Sequence, residues 1–169
     1  MLLHAVKMVR LFTPEVYVIA SPVKYGFLGV PLIPDAVESA GPISAILTAL
    51  KTTSHFRNLV LACDMPWIPP GVIELLFDTL ADSDAAVPQL DSGKIEPLCA
   101  LYTTSCLASV EKCYGFGRFR ISDFLDGLNV CYLTERHLQS KGWDHGIFRS
   151  VNTPSDYAEL LGEKTDCAG

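Results

Sequence analysis

Asn58-Leu59-Val60-Leu61-Ala62-Cys63 followed by Asp64 is the stretch that decides the fold. It is apolar almost throughout, with no polar alternation, and it ends abruptly at Asp64-Met65-Pro66 and then Pro69-Pro70. Such a run reads as a strand buried on both faces, the habit of a parallel sheet. Asp64 then stands at the strand's carboxyl end, where open α/β sheets bind their ligands. A carboxylate there is suited to hold hydrated Mg²⁺ against a nucleotide phosphate. The same residue also fits a plain turn before a helix opening at Pro69-Pro70, and this segment alone leaves both readings open.

Working outward, strands and helices alternate. Leu2–Phe12 has helical spacing and stops before Pro14; Glu15–Ser21 reads as a buried strand; Gly29–Asp35 holds a short edge strand, where prolines are tolerated. A helix opens at Gly41-Pro42, and another runs from about Pro70 to Leu80 with Val72, Leu75, Leu76 and Leu80 on one face. Ala85–Leu90 and Ile95–Tyr102 flank the turn signal Asp91-Ser92-Gly93 and read as paired strands. Helices are expected over Ser105–Tyr114 and Ile121–Leu125, and a strand over Asn129–Thr134. Thr153-Pro154-Ser155-Asp156 is a helix start with a hydroxyl at N-cap, proline at N1 and an acid at N3. The class is therefore α/β, a doubly wound and mostly parallel Rossmann-like sheet, in a single domain over 1–169.

Composition narrows the partners. A net charge of -6 and a hydrophobic content of 49% describe a compact acidic protein and argue against duplex nucleic acid as the partner. Met1–Val9, carrying His4 and Lys7, is too short and interrupted for a signal or spanning segment, so no membrane partner and a cytoplasmic location are expected. The six cysteines show no CxxC pair and the four histidines no HExxH, which argues against zinc. Cys63 and Cys99 lie in apolar runs and read as small buried hydrophobes, while Cys106 and Cys113 share a helix face. Gly115 and Gly117 form no dinucleotide fingerprint, so a dehydrogenase-like binder carries little weight.

Four stretches, in order, resemble the nucleotidyltransferase family that contains molybdenum cofactor guanylyltransferase. They are Val18–Ser21, Asp35 with Gly41–Ile46, Leu61–Pro70, and Phe148–Pro154; Glu96-Pro97 and the loop Arg118–Ile121 also match. The resemblance implies the fold of the nucleotide-diphospho-sugar transferases and transfer of GMP from GTP to molybdopterin with release of pyrophosphate. It implies Mg²⁺ on Asp64, Asp35 near the purine and ribose, Ser21 near base or ribose, and Asn152 near metal and phosphates. Arg118 and Arg120 would meet the molybdopterin phosphate, since guanidinium forks suit phosphate oxygens. An Asp can accept two N–H bonds from guanine, which adenine does not offer. By residue type alone, Asp35 also reads as a turn residue, Asn152 as part of a helix start, and the two arginines as a solvated loop. Protein partners implied are a molybdoenzyme or a cofactor-handling protein.

One departure is expected to matter. The family opens on a strand and a glycine-rich loop carrying Arg and Lys, and nothing before Val16 contains a glycine. In a doubly wound sheet that strand is central, so the Val16 and Leu59 strands are expected to flank a gap with unpaired backbone groups. The expectation is a fold whose N-terminal strand is missing, from truncation in preference to degeneration. Two alternatives remain beside guanylyl transfer: a related transferase using CTP or acting on a sugar phosphate, and a non-catalytic cofactor- or protein-binding module.

Overall fold

The computed structural model describes residues 1–21, 25–34 and 41–166. Its elements are α1 (Leu2–Val9), β1 (Val18–Ile19), β2 (Leu32–Ile33), α2 (Pro42–Thr52), β3 (Arg57–Leu61) and α3 (Pro70–Leu80). There follow β4 (Ala85–Gln89), β5 (Cys99–Thr103), α4 (Cys106–Gly115), α5 (Ile121–Leu125), β6 (Val130–Thr134), α6 (Glu135–Gln139) and α7 (Pro154–Asp166). Among the described residues no helix is long and apolar enough to cross a membrane.

The main sheet has the order β3-β5-β4-β6. β5 runs antiparallel to both β3 and β4, while β4 and β6 are parallel, so three of its four strands point one way. The reversed strand follows from the paired run on either side of Asp91-Ser92-Gly93: Ala85 sits opposite Tyr102, and Gln89 bridges Ile95. Strand side chains alternate between two helical layers, as period two requires. Val60, Ala85, Val87, Ala100 and Tyr102 pack with α2, α4 and α5; Ala86, Cys99, Leu101 and Leu133 pack with α3 and α6. The result is a three-layer α/β sandwich.

β1 and β2 form a separate parallel pair, Val18 opposite Leu32 and Ile19 opposite Ile33. The expected strand over Glu15–Ser21 is thus only two residues long, and the first helix stops at Val9 instead of Phe12. Between β1 and β3 lies a cavity of about 1020 Å³. Its walls are Val16–Ile19 on one side and Asn58–Cys63 on the other. Among the described residues β3 pairs only with β5, and β1 only with β2, so each presents an open edge to the cavity. This is the expected gap, and it explains why β3 is not buried on both faces: Leu59 and Leu61 are only partly covered. α1 spans it from one face, burying Val6 against Val16 and Val18, and Phe12 just beyond it stacks on Phe77 of α3 with centroids 6.3 Å apart.

Candidate functional site

The Asp64 loop exists because β3 loses its partner. The last bond is Ala62 N–H to the Leu98 carbonyl at 2.6 Å. Beyond it the other strand turns away: Glu96 N–H donates to the Pro88 carbonyl and Cys99 N–H to the Glu96 carbonyl, both at 3.1 Å. With no ladder to join, Cys63-Asp64-Met65-Pro66 becomes loop, and Pro70 at the first position of α3 restarts regular structure. Asp64 therefore lies three residues past the strand, half-buried, at the rim of the cavity. Its carboxylate accepts no hydrogen bond and makes no ion pair among the described residues.

Cys63 corrects the reading of a buried hydrophobe, for the residue is exposed. Its thiol borders a small hollow with His4, Ala5 and Met8 of α1. This partial shielding, followed by the adjacent Asp64 charge, raises its pKa above the ordinary thiol value. Cys99, by contrast, is fully buried as expected, its thiol pushed up to about 12 by burial and then by the Glu96 charge. Glu96 itself is only 4% exposed and pairs with the Lys94 ammonium at 2.7 Å.

A second loop is stapled to the first. Val151 N–H donates to the Asp64 carbonyl at 2.8 Å, which brings Asn152 beside the acidic loop. The Arg149 guanidinium stacks 4.2 Å from the centre of the Trp67 ring and bonds Glu159 at 2.9 Å. Below Asn152 the helix start behaves as its sequence promised. Asp156 Oδ2 accepts the N–H groups of Thr153 (2.8 Å) and Asn152 (3.0 Å), and Asp156 N–H donates back to Thr153 Oγ1 at 3.1 Å. These bonds, Thr153's first, hold the Asp156 carboxyl below the usual carboxylate range. The Asn152 side chain is left exposed. Asp64 and Asn152, 88 positions apart in sequence, thus share one end of the molecule.

The other expected site residues are less gathered. Ser21 is exposed just past β1. Asp35 lies outside the described residues. Arg118 and Arg120 are exposed on the loop joining α4 to α5, beside Phe116 (71% exposed) and on either side of Phe119 (47%), and neither guanidinium forms an ion pair among the described residues. Among the described residues no hydrogen bond links that loop to Asp64 or Asn152. Sequence reasoning missed the Trp67–Arg149 stack. Each lies three residues from a site candidate (Asp64 and Asn152), but no spacing within one segment can reveal a contact between two.

Residues 1–128 match the family model of the MobA-like NTP transferase domain. The chain belongs to this family. It is 31% identical to a probable molybdenum cofactor guanylyltransferase of Carboxydothermus hydrogenoformans, over 94% of this chain and 80% of that protein. It is 33% identical to its counterpart in Pelotomaculum thermopropionicum, over 76% of this chain and 62% of the relative. The crystal structure of molybdopterin-guanine dinucleotide biosynthesis protein A from Archaeoglobus fulgidus superimposes with a TM-score of 0.73 at 27% identity, covering 94% of this chain and 85% of that one. The chain is a member of a nucleotidyltransferase family with the α/β fold of the nucleotide-diphospho-sugar transferases.

Proposed function

We propose that this chain carries the nucleotide-binding and metal-holding side of a guanylyltransferase that joins GMP from GTP to the phosphate of molybdopterin. The observation that carries the reading is the Asp64 carboxylate, free at a rim formed by the end of β3 and stapled to the Asn152 loop. In the reaction an acceptor phosphate oxygen bonds to the α-phosphorus, the bond from that phosphorus to the bridging oxygen breaks, and pyrophosphate leaves with the electron pair.

The residues present fit a magnesium ion. A carboxylate with no partner and a neighbouring amide are hard oxygen donors, the set Mg²⁺ takes while keeping most of its waters. When bound, such an ion offsets charge on the phosphate oxygens. Asp64 would hold it, with Asn152 orienting the phosphates from the stapled loop. Ser21 would face base or ribose, and Asp35 would read guanine. Arg118 and Arg120 would receive the acceptor phosphate, and the exposed arginines await a counter-charge in keeping with that role. The substrate partners are GTP and molybdopterin.

The test is calorimetric titration of GTP with Mg²⁺, repeated with Asp64→Asn and with Asp35→Ala, CTP serving as competitor. Asp64→Asn should abolish the Mg²⁺-dependent part of binding with little change in melting temperature. Asp35→Ala should weaken GTP far more than CTP. Mg²⁺-dependent binding untouched by Asp64→Asn removes that residue from the site, and equal loss of both nucleotides removes Asp35 from base reading.

A further inference from the structure

We propose that Arg149 is a positioning residue of the candidate site, and that its stack on Trp67 is the clamp holding the Asp64 carboxylate in register with the Asn152 amide. The inference rests on the reading of Asp64 as the group that takes the magnesium ion. It gives a role to two residues that this reading leaves without one.

The two loops meet as an antiparallel pair. Trp67 lies against Arg149, and three residues earlier the Asp64 carbonyl accepts the Val151 N–H at 2.8 Å, so one chain ascends as the other descends. Asn152 follows Val151 and so stands beside Asp64. Ile68 and Phe148, the neighbours of Trp67 and Arg149, are both buried in the core cluster that α3 helps to form. From that anchor each loop runs out to the rim, joined to the other by the stack and then by the Val151 bond. Arg149 also reaches α7 through its 2.9 Å bond to Glu159. One guanidinium thus ties together the Asp64 loop, the Asn152 loop and the helix that follows.

A guanidinium suits this task. Its plane can lie on an indole face while an edge N–H still donates to a carboxylate, and it stays charged at any working pH. The Arg149 Cζ is 4.2 Å from the ring centre, within the range of a cation–π contact. Its side chain is 44% exposed, so the stack joins the loops without being a core contact on which folding depends. A hydrogen bond at an open rim breaks readily, and without the stack the register of Asp64 and Asn152 leans on the Val151 bond. Magnesium demands near-ideal octahedral oxygen geometry, so donors that drift apart lose it before a nucleotide bound along its whole length is lost. The stack is therefore felt first in the magnesium requirement.

The experiment titrates GTP calorimetrically at a series of Mg²⁺ concentrations into the parent, Arg149→Met, Trp67→Leu and the double variant, and follows amide hydrogen exchange at Val151. Met and Leu keep apolar bulk but remove the cation and the π face. Each single variant should need an about threefold to tenfold higher Mg²⁺ concentration for half-maximal effect, with no further rise in the double variant. GTP binding without Mg²⁺ should be as in the parent. Val151 exchange should quicken about threefold or more in all three variants, with Tyr102 exchange unchanged. Arg149→Lys, which keeps a cation over the ring, should recover part of the loss. A Mg²⁺ requirement and a Val151 exchange rate equal to the parent's overturn the proposal. Equal weakening with and without Mg²⁺, or single effects that simply add, also overturns it, in favour of general loosening. A parent with no Mg²⁺-dependent binding overturns the metal reading and the role in register that rests on it. Val151 exchange in the variants separates that outcome from failure of the clamp itself.

Discussion

The β1 strand and the central strands β4 and β5 are written in similarly apolar sequence, yet they end in different states. Cys99–Tyr102 and Ala85–Val87 have no exposed surface, with strand neighbours at their sides and helices above and below. Val16-Tyr17-Val18-Ile19 pairs on one edge alone, keeps only two residues as strand, and leaves Tyr17 42% exposed. Apolar composition sets the tendency to extend; a partner on each edge is what converts it into buried, regular strand.

The largest effect should come from carving both regions in the same way. Leu101→Ala, in the centre of the main sheet, removes a fully buried side chain and should cost about 2–5 kcal/mol in urea unfolding. Val18→Ala, beside the cavity, trims a side chain of the small Val6–Val16–Val18 cluster and should cost less, about 1 kcal/mol. Comparable losses would mean that the N-terminal layer is as tightly folded as the sheet, and the contrast would fall.

The same contrast explains what could be read from sequence. Local signals were sufficient where one segment decides its own structure. Pro70–Leu80 and Ile121–Leu125 are helices with the bounds their periodicity and prolines give, and Thr153 with Asp156 forms the expected reciprocal cap. Signals failed where a distant partner decides. β3 stops at Leu61, not Cys63, because the chain after Pro88 turns away through Glu96–Leu98, which is also why Cys63 is exposed. The helix Glu135–Gln139 went unread, being five residues long and shorter than the window in which helical periodicity is visible. For the site, Asp64 and Asn152 could be picked out by residue type and resemblance, but the bond from Val151 to Asp64 and the Trp67–Arg149 stack belong to tertiary structure alone.

A middle-sized effect is expected at Asp84, which ties three strand ends of the well-paired region. Its Oδ1 accepts from Ser105 Oγ at 2.5 Å, its Oδ2 from Asn129 N–H at 2.9 Å, and its carbonyl from Thr103 N–H at 2.8 Å. The Ser105 bond first, then the Asn129 bond, lowers its pKa below the usual carboxylate value. The folded state therefore binds this proton less readily than the unfolded chain. The carboxylate's contribution is fully present above the unfolded value near 4 and is lost as pH falls through the folded one. Asp84→Asn should lower the melting temperature by about 2–6 °C at pH 7, and the gap from the parent should narrow as the pH drops below about 4. A gap that stays constant into acid would assign the loss to packing and not to charge.

The smallest effect sharpens the comparison most, because Glu15 and His55, both lining the cavity, join the two regions directly at 2.7 Å. Both side chains are about half exposed, 51% and 56%. Exposed pairs contribute about 0–1 kcal/mol and are screened by salt. If the N-terminal layer is held by apolar contacts, Val6 against Val16 and Val18 and Phe12 against Phe77, the pair adds little to its attachment. A double-mutant cycle with Glu15→Gln and His55→Gln should then give a coupling of no more than about 0.5 kcal/mol, smaller still at high salt. A coupling above about 2 kcal/mol would place the attachment of the layer in this one Glu15–His55 contact.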